Sequence, residues 1–244
     1  MTEAMANMAP SRTGSYGSAY IGHVISLSPL SAERRRHRWS DQQTEQLKVS
    51  GGLMRVAFTT CGLLEEPYGA ARTEPFEELT PTVYVASEHH PGFIERADYA
   101  NDRDDLGDID RDWGKWGSLR LPSFYDGGKT DDAYRAAQTL SVWRDLQSVW
   151  DFVYYSGVHA AALRRRHEWF QRPTWPTYTV WWTTDNHTPT WAEAIERLEL
   201  LEAAGPTPAA FTLKKAFEQD GTPVTLGRPA QPEPVNSVGG EQLS

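Results

Sequence analysis

The chain has 244 residues, 39% hydrophobic and 23% charged, enough for one sizeable core with polar tails. A formal charge of −9 argues against a basic nucleic-acid-binding field, and a single cysteine, Cys61, excludes an intrachain disulfide framework and a cysteine-rich zinc site. No apolar run approaches the ~20 residues of a membrane helix and no basic segment leads into an apolar one at the start, so the expectation is a cytoplasmic protein with neither a membrane nor a nucleic-acid partner.

Residues 1–50 read as a partly irregular arm rich in Ser, Ala and Gly, with a basic run at Arg34, Arg35, Arg36, His37 and Arg38. A domain from 51 to 218 follows, carrying an insertion at about 99–137, and residues 219–244 read as a flexible tail. Leu53–Leu63 alternates as a first strand, Met54, Val56 and Phe58 opposite Arg55, Ala57 and Thr59. The stretch from Pro75 to Phe93 reads as a loop leading into a helix that Pro91-Gly92 ends, with His89 and His90 as candidate C-terminal caps. The acidic run Asn101–Asp112 lacks the spacing of a calcium loop and reads as solvated. Gly114–Gly128 is an aromatic, glycine-bearing stretch suited to a lid over a pocket, and Asp131–Ala137 reads as a short helix.

The centre of the chain runs from Leu140 to Trp182. Thr139–Trp143 alternates, placing Leu140 and Val142 on one side and Trp143 on the other. Asp145 is the expected N-cap of a long helix reaching Phe170. Leu146, Val149, Trp150, Val153, Gly157 and Ala160 form one stripe at helical spacing, suited to packing on the sheet. Phe152, Tyr155, Ser156, His159, Leu163, Arg166 and Phe170 form a second stripe, aromatic and polar, suited to a cavity wall. Gly157 marks a kink or a close approach to a neighbour. Tyr178–Thr184 is a further strand, with Tyr178, Val180 and Trp182 opposite Thr179, Trp181 and Thr183. Thr190 and Glu193 make a capping box for a helix whose Ala194, Ile195, Leu198 and Leu201 face the core and which Gly205 ends. Phe211–Phe217 reads as the last strand.

Elements in the order β, α, (β), β, α, β, α, β predict an α+β fold: a ferredoxin-like antiparallel sheet with helices on one face. The stretches LSVW (140–143), FVYYSGVHAAALRRRHEWF (152–170), YTVWW (178–182), NHTPT (186–190), EAIERLELLEAAGPTPAAFTLKKAF (193–217) and VAFTTCGLL (56–64) resemble the domain of unknown function 3291 family over roughly 53–218. That family looks related to the dimeric α+β barrel superfamily. The resemblance implies a homodimer whose two sheets close a barrel, with a pocket between each sheet and its helices. It also implies small-molecule chemistry: cofactor-free oxygenation, cyclisation or isomerisation of aromatic or polyketide-like substrates in biosynthesis, or haem-dependent oxygenation. Haem-degrading members carry a proximal histidine on the helix after a Trp-containing strand, and His159 holds a similar place.

The candidate catalytic residues are accordingly His159, Arg166 and Tyr155. His159 is a base near neutral pH or, with haem, an axial ligand; its alternative is a hydrogen bond to structure. Arg166 is the arginine in register with His159 and suits a carboxylate or enolate oxygen; the alternative is an ion pair with Glu168. Trp143, Phe152, Leu163, Tyr178, Trp181 and Trp182 are the candidate wall for a flat, apolar ligand, or ordinary core. His187 reads as structural, bonded to local backbone. No cofactor is required by any motif, haem being the one option the resemblance adds.

Overall fold

The computed structural model describes residues 53–98, 113–125 and 135–228. The arm 1–50 with its basic run, the acidic stretch Asn101–Asp112 and most of the expected short helix at 131–137 lie outside the described residues. The strands are β1 (Met54–Leu63), β2 (Phe93–Arg96), β3 (Ala136–Trp143) and β4 (Tyr178–Thr184), with a small C-terminal pair β5 (Ala216–Phe217) and β6 (Pro223–Val224). The helices are α1 (Glu74–Glu88), α2 (Leu146–Tyr155), α3 (Gly157–Arg165) and α4 (Trp191–Ala204), with single 3₁₀ turns at Gly114–Trp116 and Arg166–Glu168.

The main sheet has the order β2-β3-β1-β4, every pairing antiparallel. This is the ferredoxin-like plan. Register follows from the alternation: Val56 sits opposite Trp143 on one side and Trp182 on the other, and Phe58 opposite Ser141 and Val180. A slip by one residue would carry Val56 and Phe58 to the opposite face. Phe211 extends the sheet past β4 through a reciprocal backbone pair with Val180 at 2.8 and 3.0 Å.

Both faces are buried. Val56, Phe58, Trp143 and Val180 form the floor of one core, closed by Leu146, Val149, Phe152 and Val153 of α2 and by Val83 and Ala86 of α1. Ala57, Leu140, Val142 and Trp181 form the floor of the other, closed by Trp191 and Ala194 of α4 and by Trp116. Cys61 continues this second face against Ile195 and Leu198. Helices therefore cover both faces and not one: α1, α2 and α3 on the first, α4 on the second. The reason is visible in the strands, whose alternate residues are apolar on both sides.

Four further expectations are corrected. Ala136 and Ala137 belong to β3, not to a short helix. The stretch 113–125 lies over the α4 side of the sheet, where Trp116 is buried with Trp181 and Trp191, so it is not a lid over the α2 side. Phe211–Phe217 is broken by a turn in which Lys215 N–H donates to Thr212 O at 3.0 Å, leaving only Ala216–Phe217 as a strand. Residues 219–228 are not loose: Pro223–Val224 pairs with β5, and the Gln147 amide donates to Gly227 O at 2.9 Å.

Candidate functional site

The site grows from the helix break. Asp145 opens α2, its Oδ1 accepting from Ser148 N–H at 2.7 Å. The helix then runs ten residues and stops at Ser156, whose ψ of 130° is extended. The carbonyls of its last turn take further donors from the break. Ser156 N–H donates to Asp151 O at 2.9 Å, and Ser156 Oγ donates to Phe152 O. His159 Nδ1 lies 3.0 Å from Val153 O. A carbonyl only accepts, so Nδ1 carries the proton, and in the neutral ring Nε2 is a bare acceptor. Burial lowers the His159 pKa below its ordinary value, against the opposing effect of the Val153 bond. The ring is thus neutral near pH 7, with its tautomer set by backbone.

The ring lies against Phe152, centroids 4.8 Å apart. Phe152 in turn packs on Trp143 at 5.0 Å. Trp143 is held in place by its own indole N–H, which donates to Ser141 Oγ at 2.8 Å. A second imidazole completes the row. His90 meets Trp143 edge-on at 5.5 Å and Phe152 at 6.4 Å. Gly92 N–H donates to His90 Nδ1 at 3.1 Å, so here the bare nitrogen is Nδ1 and the proton sits on Nε2. Burial lowers the His90 pKa, against Asp151, which raises it.

The predicted residues fall into three places. His159, Phe152, Trp143 and Leu163 share the row between the sheet and α2–α3. Tyr178 and Trp182 occupy the same face farther along, beside Tyr154 and the C-terminal pair; Trp182 Nε1 donates to Phe217 O at 2.7 Å. Burial first, then the Tyr154 hydroxyl, raises the Tyr178 pKa and keeps its phenol protonated. Trp181 is on the opposite face, its Nε1 donating to Glu193 Oε1 at 3.0 Å. Tyr155 and Arg166 do not join His159. Tyr155 is 45% exposed, and Arg166 is exposed with Nη1 donating to Leu163 O at 2.6 Å. The break at Ser156–Gly157 resets the helical phase, so a stripe drawn through one continuous helix loses register there. The expected partner of Glu168 is also one residue off: Arg165 makes that pair, at 2.9 Å.

Sequence reasoning missed His90. His89 and His90 both read as caps, but only the His89 side chain caps, its Nδ1 2.7 Å from Val85 O. The Pro91-Gly92 turn is the one local signal that the neighbour points elsewhere. His187 pairs with a carboxylate rather than backbone, Nε2 to Glu193 Oε2 at 2.7 Å. Cys61 is buried, and burial pushes its thiol up to about 12, which leaves it a core residue.

Among the described residues no three His, Cys, Asp or Glu side chains are grouped to hold a metal ion. For haem, the donor fits: a bare Nε2 with Nδ1–H fixed on a carbonyl is the arrangement an axial imidazole uses. Arg166, expected to hold a carboxylate or enolate oxygen, is turned to solvent.

Residues 55–226 match the family described as Domain of unknown function (DUF3291). The chain belongs to that family. No curated protein and no solved structure matches it. Among its described residues no helix is long and apolar enough to cross a membrane. Within this DUF3291 domain the Trp143–Phe152 pair brings two imidazoles, His90 and His159, together with aromatic rings on the α2 face.

Proposed function

We propose that this DUF3291 protein is a small-molecule enzyme, working in biosynthesis, that uses His159 Nε2 as a general base on a flat, apolar substrate. The reaction class is cofactor-free oxygenation, or cyclisation or isomerisation, of an aromatic or polyketide-like compound. The observation that supports it is the Nδ1–H bond to Val153 O, which leaves Nε2 aprotic while burial keeps the ring neutral. A positioned neutral imidazole typically contributes about 100- to 10,000-fold to a proton transfer. Phe152, Trp143 and Leu163 supply the apolar wall. The segment α3 contains no fully buried side chain and follows a helix break, so it is the wall that yields to admit the ligand. The proposed partner is a second copy of the chain, which sedimentation measures directly.

Titration with 2-naphthol tests this reading. Bound beside a bare Nε2, the naphthol band shifts toward the naphtholate, and His159→Gln abolishes the shift. A spectrum that is the same with and without His159 overturns the base. Binding with a His159-dependent shift but no turnover of any ketone or phenol tested points to a non-catalytic binding protein.

The same fixed tautomer favours a second reading, haem with His159 as axial ligand. Bound there, haem supplies oxygen chemistry; the chain's part is to hold Nε2 toward the iron. A Soret band on haemin titration, lost in His159→Gln, supports it, and a protein indifferent to haemin removes it.

A further inference from the structure

The row of rings carries two imidazoles of opposite sense. His159 presents a bare Nε2, because its proton is committed to Val153 O. His90 presents an Nε2–H, because its Nδ1 is committed to the Gly92 amide. Neither Nε2 has a hydrogen-bond partner among the described residues, and both rings pack on the one phenyl of Phe152.

The turn that sets the His90 tautomer is pinned. Gly92 O accepts from Arg144 N–H at 2.8 Å, and a Cβ built on Gly92 would lie 2.0 Å from Ser148 Oγ, so only glycine brings this backbone so close to α2. His89 is spent on the Val85 carbonyl, which leaves His90 alone free to face the aromatic row. One acceptor and one donor, both neutral and both fixed by backbone, are the two groups that enolisation needs.

We propose that His90 is the hydrogen-bond donor of this site, and that the substrate is a ketone flanked by an aromatic ring, enolised beside its carbonyl. This rests on His159 as the base. In the step, the C–H bond next to the carbonyl breaks and its proton passes to His159 Nε2. The electron pair forms the C=C bond, and the carbonyl π pair moves to oxygen. That enolate oxygen accepts from His90 Nε2–H. Return of the proton to the same or a vinylogous carbon completes an exchange or an isomerisation, with no oxidant consumed. The oxygen end is thus served by His90, a role the sequence suggested for Arg166.

The probe is 2-tetralone in D2O, with loss of the C1 proton signal followed by NMR. The wild-type chain exchanges faster than buffer imidazole, and His159→Gln lowers the rate about 100-fold. His90→Phe keeps a ring against Trp143 but removes the donor; kcat falls at least about 10-fold with KM within about two-fold. His90→Gln, which retains an N–H, recovers part of the loss. In the wild type, 2-tetralone shifts the His90 Nε2–H resonance downfield, a readout that needs no variant to fold. Wild-type kcat in His90→Phe, or an unmoved His90 resonance, overturns the donor and leaves the base standing. No exchange above buffer, in a protein whose 2-naphthol shift still depends on His159, overturns enolisation alone. Loss of that dependence overturns the base itself.

Discussion

Protonating His159 would set a charged ring against Phe152, and protonating His90 would set one against Trp143 and Phe152. Both groups have pKa values below the ordinary imidazole value, burial being the first cause in each. The native state therefore binds fewer protons than the unfolded chain at mildly acid pH. Their contribution to stability is complete above the unfolded value of about 6.5 and is lost as pH falls below it. Urea unfolding should show a lower midpoint at pH 5.5 than at 7.5, and His159→Gln should flatten that slope. A midpoint that rises on acidification would contradict the assignment. Glu193 is the other residue that carries more than its neighbours. Its carboxylate accepts from the Trp181 indole, the Arg197 guanidinium and His187, while its amide caps α4 on Thr190 Oγ1. Arg197 is 7% exposed. Glu193→Ala takes the carboxylate away from this buried guanidinium and the acceptor away from the Trp181 indole, and should cost about 3 kcal/mol in chemical denaturation.

At the scale of elements, the break between α2 and α3 decides what the site contains. Gly157 has no positive φ, and a Cβ there meets nothing within 4 Å. Gly157→Ala should therefore raise stability by about 0.5 kcal/mol through the unfolded chain. The kink itself should persist, since Ser156 Oγ and His159 Nδ1 hold the Phe152 and Val153 carbonyls across it. Helix content by circular dichroism and the melting temperature check both. Much of this was legible: the glycine flagged the kink, Asp145 and Thr190 flagged the caps, and the alternating residues of β1, β3 and β4 fixed the register. The phase beyond the break was not. A stripe counted at 3.6 residues per turn assumes one helix, and Tyr155 and Arg166 were placed on that assumption. Their surface positions follow from the extended Ser156 and the 3₁₀ turn at Arg166–Glu168. His90 was illegible for a different reason. Its neighbours Trp143 and Phe152 lie more than fifty residues away, and only the β2–β3 pairing brings them together.

Over the whole molecule, the sheet divides the aromatic residues into two sets. One packs beneath α1, α2 and α3 around Trp143, and the other beneath α4 around Trp181 and Trp191. A count of ten tryptophans could not say which set any of them joins; strand parity could, and Trp181 needed only that. What composition left open was whether the second face was covered at all. The apolar stripe of α4, with Leu198 fully buried, closes it within one chain. Leu198→Ala should cost about 2–5 kcal/mol without altering the chemistry at His159, because it opens a cavity on the other side of the sheet. A variant equally destabilised and equally impaired in the 2-naphthol shift would mean that the two faces act as one.

The ¹⁵N spectrum of the His159 ring decides the matter most directly. A proton on Nδ1 and a bare Nε2 at pH 7, with charging only below about pH 6.5, is the expected result. A proton on Nε2, or a ring already charged at neutrality, would contradict it and take the general base with it.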